Sequence, residues 1–92
     1  MQPHVKVYMK HFDIGPEDIW YCEATGEQHK FKEMHVHHIN GRGKGMDVIE
    51  NLMCLQPKIH ARAHGTIHPV SKSDFMYIHK SFLAGQRKKF LV

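Results

Sequence analysis

The sharpest constraint on this chain lies between residues 35 and 64. Five histidines fall there: His35, His37 and His38, then, beyond a glycine-rich loop, His60 and His64. The last two are four residues apart, with Pro57 before them and Gly65 directly after the second. Proline suits the first turn of a helix and glycine ends one, so this spacing predicts a short helix from Pro57 to Gly65. On such a helix His60 and His64 project from one face a turn apart. That is how a short helix offers two imidazoles to one metal ion. His37 and His38 are candidates for the third ligand and for a base beside the metal. A pair of helical histidines alone is more often solvated than ligating; His37, Asn51 and the two helix boundaries together tip the reading toward a site.

The remaining composition narrows the class. Ninety-two residues fit one domain, near the lower size limit for a well-buried core. With 41% hydrophobic and 24% charged residues the chain is globular rather than disordered. A core this small gains from a staple, and a bound metal is one. No apolar run approaches a membrane span and no signal peptide opens the sequence, so the expectation is a soluble, cytoplasmic protein. The formal net charge of +4 suits a polyanionic partner without requiring one. Cys22 and Cys54 can pair, but in a cytosolic chain two free thiols are the favoured reading.

Taken in order, residues 4–12 alternate, with Val5, Val7 and Met9 on one face and Lys6, Tyr8 and Lys10 on the other, which predicts a half-buried N-terminal strand. Gly15-Pro16-Glu17-Asp18 is turn chemistry, Ile19-Trp20-Tyr21-Cys22 reads as a short strand, and Ala24-Thr25-Gly26 as a tight turn. Phe31 to Ile39 alternates again. Neighbours His37 and His38 should then face opposite ways, and both reach one site only if the strand ends or bends near Asn40-Gly41. The loop 40–47 sets Arg42 and Lys44 among glycines, so its backbone can approach a ligand closely. Leu52-Met53-Cys54-Leu55 is the second strand of a hairpin. After the Pro57 helix, Ser71 or Ser73 can cap a last helix over about 74–84, stopped by Gly85, and Arg87 to Lys89 form a basic tail.

At His37-His38-Ile39, Asn51-Leu52, and His60 with His64 and Gly65, the sequence resembles the HNH endonuclease family, whose fold is the ββα-metal (His-Me) finger. The small phage and bacterial members are the most similar, and the resemblance covers roughly residues 20–66. It implies an α+β domain spanning residues 1–92, a ββα-metal core with an extra N-terminal strand and a C-terminal helix. It also implies His38 as general base, Asn51 as its supporting asparagine, and one divalent ion held by His37, His60 and His64. The activity implied is hydrolysis of DNA phosphodiester bonds, by nicking or double-strand cleavage, most naturally on double-stranded DNA. The partners and setting implied are phage packaging proteins and a bacterial or phage-infected cell. Many members add a structural zinc held by two Cys-x-x-Cys pairs. Here the pairs would fall at Cys22 and Thr25 and at Gln56 and Ile59, so three of four ligands are missing and no structural zinc is expected.

The chemistry is consistent with that resemblance. Phosphodiester hydrolysis needs a nucleophile, charge stabilisation on the phosphoryl oxygens and help for the leaving oxygen. An unligated His38 is suited to take a proton from water near neutral pH, help worth roughly 10²–10⁴ in rate. Asn51, whose amide donates and accepts, would fix the loop and orient His38. Arg42 and Lys44 are candidates for gripping flanking phosphates, although a basic loop is as often merely solvated. Three imidazoles favour zinc, nickel, cobalt or manganese over magnesium in binding, but the ion that supports turnover need not bind tightest.

The other residues are read more plainly. His35 shares a strand face with His37 and is either a partner of the ligands or a filled polar position, the second being preferred. His4, His11, His29 and His79 are read as surface residues, His68-Pro69 as a turn that could approach the site, and Phe75 to Leu83, Trp20 and Tyr21 as packing. Two rival functions stay open. One is a non-catalytic, metal-stapled module that docks on nucleic acid or protein. The other is an RNase using the same site.

Overall fold

The N-terminal segment is a helix, not the strand its alternation predicts. In the computed structural model, which describes residues 1–65 and 68–91, α1 spans Pro3–Phe12. Thr66, the last residue of the stretch covered by the family resemblance, lies outside the described residues. Pro3 opens α1 and Asp13 closes it in the left-handed region (φ 55°), donating its N–H to the Met9 carbonyl. Spacing explains the correction. His4 and Tyr8, and Tyr8 and Phe12, stand four apart as well as in alternation. His4 and Tyr8 are the two residues of α1 that are buried, and the Tyr8 and Phe12 rings lie 4.8 Å apart. His4 is therefore interior, contrary to the surface position expected of it.

The remaining elements give an α+β architecture of three α-helices and two small antiparallel sheets among the described residues. β1 (Ile19–Tyr21) pairs with β2 (Gln28–Lys30), and Trp20 stands opposite His29. β3 (His35–His38) pairs with β4 (Leu52–Leu55), His37 opposite Met53 and His38 opposite Leu52. Of the predicted strand over residues 31–39 only its second half is strand, because Phe31–Glu33 closes a 3-10 turn. That turn is tied down by the Phe31 N–H to the Asp18 carbonyl and the Lys32 N–H to the Pro16 carbonyl. β4 leads into α2 (Pro57–His60), which tightens into a 3-10 turn over Ala61–Ala63. α3 covers Lys72–Leu83, and the Ser71 hydroxyl caps it by accepting from the Asp74 N–H at 3.1 Å. No helix among the described residues is long and apolar enough to cross a membrane.

The elements converge on one buried carboxylate. Glu23 sits between β1 and β2 and is fully enclosed. It accepts from the Tyr8 hydroxyl at 2.6 Å and the Cys54 N–H at 2.9 Å. Its other oxygen faces His79 Nδ1 at 2.6 Å. The opposite nitrogen of His79 lies 2.6 Å from the Ile49 carbonyl, which can only accept, so that nitrogen carries a proton. Trp20 extends the network by donating to the Tyr8 oxygen at 3.1 Å. His79 is thus buried, a second correction to the surface reading. Burial alone would lower its pKa, but the hydrogen bond and charge of Glu23 and the Ile49 carbonyl outweigh it, and the net shift is upward.

Cys22, Thr25 and Gln56, three of the four positions aligned above with structural-zinc cysteines, share a hydrogen-bonded cluster with His29, while Ile59 is packed in the core. Thr25 donates to Gln56 Oε1 at 3.2 Å, Gln56 Nε2 donates to His29 Nε2 at 2.6 Å, and the Gln56 N–H points at Cys22 Sγ at 3.4 Å. Cys22 and Cys54 are buried free thiols, and burial pushes the Cys54 thiol pKa well up. His29 lies at the surface, its side chain 38% exposed, with its ring tied to Gln56.

Candidate metal centre

β3 and α2 bring three imidazoles together. Alternation puts His35 and His37 on one face of β3, and that face looks toward α2. One ligand atom from each of His37, His60 and His64 lies within 4.8 Å of the others. The His37 ring centroid is 4.8 Å from that of His60 and 6.0 Å from that of His64, and Phe75 of α3 backs His37 at 5.4 Å. α2 starts at Pro57 as the sequence predicts. A Cβ at Gly65 would stand 3.1 Å from the Ala61 carbonyl oxygen, a tight contact that glycine avoids. Burial, and then the proximity of His60 and His64, lowers the His37 pKa to about 4. Burial and the nearby His35 lower that of His60 as well. Both rings are therefore neutral near pH 7 and present lone pairs, the state in which imidazole ligates.

His35 belongs to this cluster rather than filling a polar position. Its Nδ1 lies 2.8 Å from Nδ1 of His60, so one of the two nitrogens donates and the other accepts. With Nδ1 of His60 so engaged, Nε2 is left for a cation. Partners of this kind fix the tautomer of a ligating histidine. The signal was legible in the sequence, since His35 stands two residues before His37 on the same strand face.

His38 occupies the other face of β3, as strand geometry requires. Its side chain is 5% exposed, and its Nε2 lies 2.7 Å from Asp47 Oδ1. The His4 ring of α1 stacks at a tilt 4.5 Å away. Its Nδ1 is buried without a hydrogen-bond partner. His37 and His38 nevertheless line one cleft of about 360 Å³, together with Ile39, Gly41, His64 and Lys72. They meet there because β3 ends at His38 and the chain turns through Asn40-Gly41, where Gly41 takes a φ of 88°.

Asn51 holds that turn. Its side-chain oxygen accepts from the Asn40 N–H at 2.7 Å, and its amide donates to the carbonyls of Gly41 and Met46 at 3.1 and 3.0 Å. It reaches the loop backbone rather than the His38 ring. The groups on that ring are Asp47 and His4, neither of which was singled out from the sequence. Asp47 carries no periodic signal, and His4 was assigned to a strand. Arg42 lines a second cleft of about 220 Å³ with His4, His38 and Asp47, whereas Lys44 lines neither cleft. His68 keeps to its turn at φ 49°, its carbonyl accepting from Arg62 Nε at 2.6 Å. No family model, curated protein or solved structure matches the chain.

Proposed function

We propose that this chain is a metal-dependent endonuclease of the HNH type, built on a ββα-metal core of β3, β4 and α2, that hydrolyses phosphodiester bonds in DNA. One observation carries the reading. Three histidines, His37, His60 and His64, converge, while His38, next to His37 in the chain, lines a cleft with His37 and His64 and has a buried, unpartnered Nδ1. A purely structural metal site has no use for such a base beside it.

The residues fit a divalent cation. Three imidazole donors from two elements, with His37 and His60 held neutral, suit zinc, nickel, cobalt or manganese. When bound, such an ion supplies Lewis-acid stabilisation of phosphoryl charge and of the leaving oxygen. The chain supplies the rest. Asp47 on Nε2 of His38 fixes the ring orientation and favours the tautomer with the proton on Nε2. Nδ1 is then the buried, unpartnered acceptor of the ring, the atom that would take the proton of an attacking water admitted beside it. Asn51 holds the backbone at Asn40 and Gly41, and Arg42 lines the smaller cleft beside His38, where its guanidinium can meet a phosphate.

The test is cleavage of supercoiled plasmid with manganese, nickel or zinc, with and without chelator, by the wild type and by His38→Ala. Metal-dependent nicking that is lost in His38→Ala, with metal binding retained, supports the reading. Metal-bound wild type that cuts neither double-stranded nor single-stranded DNA removes it in favour of a metal-stapled binding module. Parallel RNA substrates separate an RNase.

A further inference from the structure

His38 has a neighbour from outside the stretch that resembles a nuclease. Alternation along β3 turns His35 and His37 one way, and Val36 and His38 the other. On that second face they meet His4 of α1. The His4 ring lies 4.5 Å from the His38 ring, with 47° between the planes. A ring N–H of His4 donates to the Val36 backbone carbonyl, two residues before His38. His4 is 4% exposed and sits in the first turn of a helix that Tyr8 anchors separately on Glu23. Burial, and then the nearby His38 and Arg42, lower the His4 pKa, so near neutral pH it adds no charge beside His38.

A contact on the face of His38 supplies what its bond to Asp47 does not. The χ2 torsion of histidine is broad, without sharp staggered wells. Nε2, at the end of the ring far from Cβ, lies nearer the χ2 axis than Nδ1 does. Its 2.7 Å approach to Asp47 Oδ1 therefore fixes where the ring reaches and leaves the ring plane loosely held. Rotation of that plane swings Nδ1, which has no hydrogen bond to hold it. Packing has to do so, and among the described residues His4 is the one aromatic ring that lies on His38.

We propose that His4 is a positioning residue: packed on the face of His38, it locks the ring plane that Asp47 leaves free and so sets the direction of Nδ1. The use of that direction in catalysis rests on the nuclease reading; the locking does not. α1 is then part of the site as well as part of the core.

The test has two arms. In chelator, side-chain NMR of isotope-labelled histidine shows the wild-type His38 ring rigid, with cross-peaks to His4. His4→Ala frees the ring. His4→Phe, which keeps a flat ring but cannot donate to Val36, restores the rigidity; His4→Gln, which can donate but has no ring, does not. With an ion that supports nicking, kcat follows the same order. His4→Ala lowers it about 10–100-fold and leaves KM within about twofold, and His4→Phe recovers most of the loss. Tyr8→Phe, which removes the other anchor of α1, stays within about threefold of the wild-type kcat, so loss of helix stability does not account for the effect. A mobile His38 ring in the wild type overturns the locking, and that measurement decides even where a variant fails to fold. Rescue by His4→Gln and not by His4→Phe also overturns it, since the Val36 bond would then be what His4 contributes. An equal fall of kcat in Tyr8→Phe does the same. A locked ring in a wild type that cleaves nothing with any ion keeps the locking and removes the nuclease. Full kcat in His4→Ala keeps the nuclease and removes the positioning role.

Discussion

A histidine with a carbonyl on one nitrogen and a carboxylate on the other keeps its second proton as part of its packing, and His79 is in that position. Its pKa is raised in the fold, so the folded state holds a proton that the unfolded chain releases near its ordinary value of about 6.5. The corresponding stability is fully present below about pH 6.5 and is lost as the pH rises through the raised value. Urea denaturation of the metal-free protein between pH 6 and 9 should therefore show the midpoint falling on the alkaline side. His79→Gln should flatten that fall. Removing one partner of a buried pair leaves the other charge enclosed, so Glu23→Ala should cost about 3–5 kcal/mol. A flat midpoint in the wild type would mean that the folded pair keeps no proton that the unfolded chain releases over this range. The same scale applies at His38. Asp47→Asn should slow metal-dependent cleavage and leave metal affinity unchanged, since it alters only what faces Nε2.

Elements were legible where one pattern had no competitor. β4 is an apolar run bounded by Asn51 and Gln56. α2 is announced by Pro57 and its paired histidines, and α3 by Ser71 and Gly85, although its first turn begins two residues before the predicted start. β2, by contrast, has no sequence signal, because Gln28-His29-Lys30 carries no apolar face. α1 was misread because Val5, Val7 and Met9 alternate. The competing four-residue spacing of His4, Tyr8 and Phe12 is met by the helix, which also brings Tyr8 to Glu23, a contact fifteen residues away that no local period encodes. Tyr8→Phe should accordingly cost about 1.5–3 kcal/mol, as expected for a hydrogen bond to a charged group. The Asn51 staple belongs to this scale too. Asn51→Ala leaves three loop groups to water or unpaired, at about 1–3 kcal/mol for each that stays buried. Amide exchange should speed up at Asn40, while zinc affinity changes little, since no ligand contacts the Asn51 side chain.

At the scale of the molecule the three histidines tie β3, through residue 37, to α2 and the turn after it. Spacing made the His60 and His64 pair legible and left His37 or His38 as the third ligand; the choice of His37 came from the family resemblance. The opposite facing of His37 and His38 was legible from strand alternation, whereas the closure of their cleft by α3 needed the tertiary structure. A cation that binds the folded chain and not the unfolded one stabilises it by mass action, about 2.7 kcal/mol at one hundred times Kd. For a domain of this size that corresponds to a rise in Tm of roughly 10–20 °C. Calorimetry with zinc or nickel added to chelator-treated protein should show that rise, and chelator should reverse it. His60→Ala should abolish most of it, because His60 is both a ligand candidate and the partner of His35. His35→Ala should keep the response and need more metal to reach it, about 10–100-fold by the usual effect of losing a ligand's hydrogen-bond partner. A Tm indifferent to every divalent ion would show that the rings pack together without binding one. The nuclease reading and its metal-dependent cleavage would then fall together.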